Sequence, residues 1–250
     1  MKKILAMLLV LVLVLSFVAC NKDTTNNEEP SADDTTNNEE PKFDPSAKGE
    51  GVMTYAEYDA AALESAVVIE AYVQATQSWW DNKITVYAQD PDGAYFIYEL
   101  ACSEEDSAKL VAGTKIKVTG FKAAWAGEVE IIDATFEILD GTWVAEPTDV
   151  TSLLGTDDLI KKQNMLVEFK GLTIASISYK GDAPGDDIYV KVSYNGTEYS
   201  FCVERYLTGP DTDVYKAVQE LEVGDVVNVT GFLYWYEGVN THITGVTVAE

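Results

Sequence analysis

Flat rings and carboxylates are the side chains of this sequence whose types and spacing are able to do chemistry. The rings come in groups: Trp79-Trp80, Trp125, Tyr179 and the run Tyr234-Trp235-Tyr236. Set among acids and amides, they suit stacking on sugar rings or neutral aromatic groups, which offer faces without charge. Among the carboxylates, Glu128 and Glu130 stand two apart, on one face of a strand, with Asp133 nearby and Trp125 just before them. Two carboxylates beside a bound sugar are the constellation of glycoside hydrolysis. Acids on an exposed strand of an acidic chain are ordinarily just solvated, and no catalytic residue is assigned.

Asp90-Pro-Asp-Gly93 and Gly181-Asp-Ala-Pro-Gly-Asp-Asp187 offer oxygen ligands for calcium. Neither has the spacing of an EF-hand loop, and Asp/Gly/Pro clusters ordinarily make turns. With one His, His242, and three Cys, a Cys–His nucleophile or a His-rich metal centre has few residues to be built from. His242 reads as structural, and Cys102 and Cys202 read as isolated thiols. Lys115 and Lys117 point the same way and read as a charge-balancing row. No metal, cofactor or enzymatic activity is expected.

The elements that must position these residues are organised around a stretch that occurs twice. Leu110-Val-Ala-Gly-Thr-Lys-Ile-Lys-Val-Thr-Gly-Phe121 recurs as Leu221-Glu-Val-Gly-Asp-Val-Val-Asn-Val-Thr-Gly-Phe232. Each copy predicts a turn at Gly113 or Gly224, an alternating strand, and a Gly where the strand bends. Thr54-Tyr-Ala-Glu57 is a capping box opening a helix to about Ser65. Strands are predicted over Ala66–Gln74, Lys83–Ala88, Ala94–Leu100 and the repeat, ending with Glu128–Ile138; a short helix over Ser103–Leu110 precedes the repeat. Met165–Ile174, Asp187–Val192, Glu198–Glu204, a helix over Asp213–Leu221, the second repeat and Val239–Val248 retell the pattern.

Three strands, a helix, then two strands resembles the OB-fold, a five-stranded Greek-key barrel. The fold class expected is therefore all-β with short helices: two tandem OB-like barrels, over residues 52–141 and 148–250. In OB-folds the loops joining strands one to two and four to five flank the binding face. Trp79, Trp80 and Tyr179 fall in the first kind of loop, and Trp125, Tyr234, Trp235 and Tyr236 in the second. These rings are the candidate ligand-binding residues. Two other uses stay open: capping the barrel ends as core, or meeting between the domains.

The N-terminus carries a different message. Met1-Lys-Lys is basic, Ile4 to Val18 is almost wholly apolar, and Ser16-Phe-Val-Ala-Cys20 follows. This resembles the lipobox of bacterial lipoproteins, which implies a signal peptide over residues 1–19 and a lipid on Cys20. Residues 20–51 then read as a disordered acidic tether. It repeats Asp-Thr-Thr-Asn-Asn-Glu-Glu-Pro at Asp23–Pro30 and Asp34–Pro41, with too little apolar surface to offset ordering.

Across 250 residues, 47% are hydrophobic, enough for packed cores, and the net charge is -25. Residues 52–250 hold 33 acids and 12 bases, so the folded part alone is near -21. A phosphate backbone is held by Lys and Arg, which makes nucleic acid an unlikely partner on this reading. The expectation is an extracytoplasmic, lipid-anchored, non-catalytic binding module. Its partners would be the membrane through the lipid and a carbohydrate through the rings, or alternatively an envelope protein as an adaptor.

Overall fold

The computed structural model describes residues 43–249. The expected signal peptide, the expected lipid site at Cys20 and the expected tether as far as Lys42 lie outside them. The last tether residues are already seated on the fold. Lys48 Nζ donates to the Glu70 carbonyl at 2.7 Å and pairs with the buried Asp90 at 2.5 Å.

The first barrel opens with α1 (Tyr55–Ala60), and Thr54 and Glu57 close the capping box that the sequence predicts. The helix stops earlier than Ser65 for a physical reason. Lys122 reaches in and donates to the carbonyls of Tyr58, Asp59 and Ala61 at 3.0, 2.7 and 3.0 Å. The orphan carbonyls of the last turn are thus satisfied without a further turn. Next come β1 (Ala66–Thr76), β2 (Lys83–Gln89), β3 (Ala94–Ala101), α2 (Glu104–Ser107), β4 (Thr114–Trp125) and β5 (Glu128–Thr142). They close into a barrel in the order β1-β2-β3-β5-β4, with β3 and β5 parallel through Phe96–Glu130 and Ile97–Ile131.

The second half repeats this. After a two-residue strand β6 (Thr148–Asp149) come β7 (Leu166–Tyr179), β8 (Ile188–Tyr194), β9 (Thr197–Val203), α3 (Asp213–Gln219), β10 (Val226–Phe232) and β11 (His242–Val248). β10 pairs with both β11 and β7, and β11 meets β9 in parallel at His242–Cys202, so this ring also closes. Strand alternation fills each interior. Val67, Ile69, Ile97, Ile116 and Ile131 pack in the first core; Phe169, Leu172, Val190, Phe201 and Val227 pack in the second. Each side chain so buried contributes about 1.5–3 kcal/mol. Both barrels are OB-folds, as the order of elements implies.

The repeated Gly positions are explained by crowding. A Cβ on Gly120 would lie 2.7 Å from Ile131 Cγ2 and 2.8 Å from the Ile132 carbonyl oxygen. On Gly231 it would lie 2.3 Å from the His242 carbonyl oxygen. The ladder slips beside each Gly, between Thr119 and Phe121 and between Thr230 and Gly231. The neighbouring strand comes close enough at these bulges to leave no room for a side chain. Gly231→Ala is expected to destabilise by roughly 1–3 kcal/mol, the usual cost of overpacking, measured as a shift of the urea midpoint. An unshifted midpoint would show that the strand relaxes freely there.

Candidate functional site

The two barrels are joined by aromatic residues that point away from both cores. Tyr87 on β2 and Phe96 on β3 alternate with the core residues Val86 and Ile97, so they face outward from the first barrel. Phe232, at the end of β10, stacks on Tyr87 with centroids 4.5 Å apart, and Tyr234 meets Phe96 edge-on at 5.2 Å. His242 lies against Tyr234 at 4.2 Å, nearly parallel, and its Nδ1 is 2.6 Å from the Tyr87 hydroxyl. Burial holds the His242 ring down to a pKa of about 3, so it is neutral at ordinary pH. Gln77 Nε2 also donates to the Tyr87 hydroxyl, at 3.3 Å.

Polar contacts complete the joint. The Trp235 N–H donates to Glu128 Oε2 at 2.8 Å, and Gln163 Nε2 donates to the same oxygen at 3.2 Å. Asn164 Nδ2 donates to the Val129 carbonyl at 3.0 Å, and the Leu166 N–H to Gln89 Oε1 at 2.8 Å. Glu128 is fully buried, and burial pushes its pKa up to about 8. It is therefore protonated at neutral pH. That proton supplies a donor where two buried acceptors, Glu128 Oε1 and Asn164 Oδ1, otherwise have no partner. Glu130 is nine-tenths buried, and desolvation raises its pKa too. The expectation that these two acids are merely solvated is thus corrected, because the second barrel covers the strand that carries them.

Beside the joint lies a cleft of about 530 Å³. Phe96, Tyr98, Trp125 and Glu130 line it from the first barrel. Tyr189, Glu204, Tyr234 and Tyr236 line it from the second, with His242 and Cys202 also in its wall. Trp125 and Tyr236 lean together at 5.2 Å, each about half exposed. A smaller hollow of about 200 Å³, carrying Trp80 and Tyr206, shares Gln77 and Tyr98 with the cleft. Burial lifts the Glu204 carboxyl to about 7, against the pull of backbone N–H donors from Tyr206 and Leu207 at 3.1 and 2.9 Å.

Of the rings singled out in the sequence, the structure brings Trp125, Tyr234 and Tyr236 together in this cleft. Trp80 is open to solvent at the side hollow. Trp79 turns the other way, donating from Nε1 to the Cys102 carbonyl at 2.8 Å and packing on the first core. Tyr179 and Trp235 pack on the second core. Glu130, singled out beside Trp125 in the sequence, completes the cleft with Tyr98 on β3, Tyr189 on β8 and Glu204 just after β9, three residues that inspection of the loops does not reveal. Only a rule of outward alternation applied to both barrels together would have found them.

The remaining candidates have structural explanations. Asp90 Oδ1 accepts from the N–H groups of Asp92 and Gly93, closing a turn. Asp186 and Asp187 pair with Arg205 and Lys180. Among the described residues no cluster of three His, Cys, Asp or Glu is arranged to hold a metal. Cys102 and Cys202 are both free and buried. Lys115 pairs with buried Glu70 at 2.8 Å.

No protein-family model and no curated protein matches the chain. Among solved structures, it is similar to a murine DNA-binding protein bound with double-stranded DNA. The identity is 11% over 73% of this chain and 96% of the other, with a TM-score of 0.36. A HINa domain in complex with double-stranded DNA is 12% identical over 74% and 98%, with a TM-score of 0.34. A replication protein A heterotrimer bound to single-stranded DNA is 10% identical over 77% and 51%, with a TM-score of 0.32. The likeness concerns the barrel fold. Those structures hold DNA, a partner that the expectation drawn from charge, which favours carbohydrate or an envelope protein, calls unlikely for this chain. Net charge governs solubility and long-range steering, and it does not describe the lining of one cleft.

The raised Glu128 carboxyl fixes the sign of one pH effect. Its folded pKa lies above the ordinary carboxylate value, so its contribution is full below about pH 4.5 and is lost as pH rises through about 8. His242, held low, works the other way, losing stability as pH falls below about 6.5. Glu204, lifted to about 7, adds to the fall at the lower end of the range between about pH 6.5 and pH 8.5, and above about pH 7 the Glu128 carboxyl decides. Wild-type stability is expected to fall across that range by on the order of a few kcal/mol, and Glu128→Gln is expected to flatten the fall. Urea unfolding at several pH values checks this, and identical profiles for the two proteins would refute it.

Proposed function

We propose that the protein is a non-catalytic OB-fold binding module whose cleft between the barrels takes a flat, unsaturated ring. Free heteroaromatic compounds and the bases of a nucleotide chain both present such a ring. The observation that carries the reading is the pair Trp125 and Tyr236, whose half-exposed faces stand at an aromatic cleft large enough for one or two rings. Large rings left open beside a concave apolar surface are what a ligand site requires. The DNA held by the similar solved structures is compatible with this reading, but the argument for it is the cleft itself. A sugar-binding role, favoured by the sequence, is not carried forward.

The module is read as exported and held by a lipid on Cys20, a part of the proposal supported by the apolar run and the Ser16–Cys20 motif. Cys20→Ser is expected to release the protein from the membrane fraction of its expression host. Retention of that variant at wild-type levels would refute the anchor.

For the cleft, tryptophan fluorescence titrated with quinoline and with a short single-stranded oligonucleotide tests the reading. At least one of the two is expected to quench. Trp125→Ala and Tyr236→Ala should each weaken binding about tenfold or more, as stacking platforms do, while Trp79→Phe leaves it unchanged. Saturable quenching that survives both substitutions, or no response to either probe, would reject the cleft as the site.

A further inference from the structure

We propose that the cleft prefers a ring that carries a positive charge, lodged against Trp125 and Tyr236 with the charge facing Glu130. This deepens the reading above and rests on it. The protein gives each of its other buried acids a partner. Asp90 is buried with Lys48 at 2.5 Å, and Glu70 with Lys115 at 2.8 Å. Glu128 is served by the Trp235 N–H and Gln163. Glu130 is nine-tenths buried and opens on the cleft, yet among the described residues it has neither an ion pair nor a side-chain hydrogen bond.

The stem of Glu130 is covered while its carboxylate oxygens stay open to the cleft, and a protein that pairs or hydrogen-bonds its other buried acids has left this one without a protein partner where a ligand would sit. No Lys or Arg lines the cleft. Lys180 pairs at 3.2 Å with Asp187, a further carboxylate of the cleft wall, and Arg205 pairs with Asp186 at 3.4 Å, so neither cation is bonded to Glu130. Of the other two carboxyls in the wall, Asp187 has Lys180 and Glu204 is met only by backbone N–H groups. Ring faces add to this preference, because the negative face of an aromatic ring attracts a cation, most strongly for Trp. A cationic ring is therefore matched twice, by a carboxylate at its charge and by π faces on its plane.

The test compares N-methylquinolinium with quinoline, rings of similar size that differ in charge, by calorimetry and fluorescence near pH 8. The cation is expected to bind wild-type protein about tenfold more tightly than quinoline. Glu130→Gln, nearly isosteric and checked for an unchanged melting temperature, is expected to remove that margin and leave quinoline affinity as it was. Equal affinity for both rings in the wild type, or equal weakening of both by the substitution, overturns the charge preference and leaves the ring site standing. If neither ring binds, both proposals fall. If E130Q lowers the melting temperature, Glu130→Ala with the same two probes decides by the same criterion.

Discussion

The contact on which the rest of the structure depends is the stack of Tyr87 on Phe232, with His242 bonded to the Tyr87 hydroxyl. Two small barrels on one chain ordinarily move relative to each other unless their interface is apolar and well bonded. Here the rings fill the centre, while backbone donors and acceptors of one barrel meet buried amides of the other. Gly127 marks how close the approach is: its φ is +95°, and a Cβ there would lie 2.7 Å from Trp235 Cδ1. The cleft exists because this joint holds its two walls at a fixed separation.

The joint is also electrically quiet. Glu128 is protonated and His242 is neutral near pH 7, each driven by the same loss of water. An acidic chain thereby avoids placing a net charge at the contact its architecture needs most. The burden of charge falls instead on the cleft beside it, where Glu130 and Glu204 remain. The contrast between one neutralised acid in the joint, Glu128, and one acid without a protein partner in the cleft, Glu130, separates a structural region from a ligand-facing one.

The duplicated Leu-to-Phe stretch made both barrels legible, and with them the turns, the bulge glycines and the helix between the third and fourth strands. Its final residue shows where that legibility ends. Phe121 is 45% exposed, while its counterpart Phe232 is buried in the joint. Identical local sequence meets different surroundings, because only one of the two faces another barrel. Glu128 and Glu130 were hidden by the same cause: alternation along one strand says which way they point but not what covers them. Trp79 and Trp80 do take opposite directions, as neighbours on an extended chain must. Which of them packs inward was settled by the Cys102 carbonyl, a partner distant in sequence.

Duplication explains why the site is not itself duplicated. Two equal barrels placed side by side present unlike surfaces to the space between them. The first offers β3, β5 and Trp125; the second offers β8, the end of β9 and the loop after β10. Neither set encloses a cleft alone. Because each half contributes rings and a carboxyl, a change that loosens the joint separates the walls without touching any residue that lines them. Ligand affinity and the strength of the joint are then linked in both directions: whatever stabilises the joint preorganises the cleft, and a ligand bridging Trp125 and Tyr236 ties the barrels together.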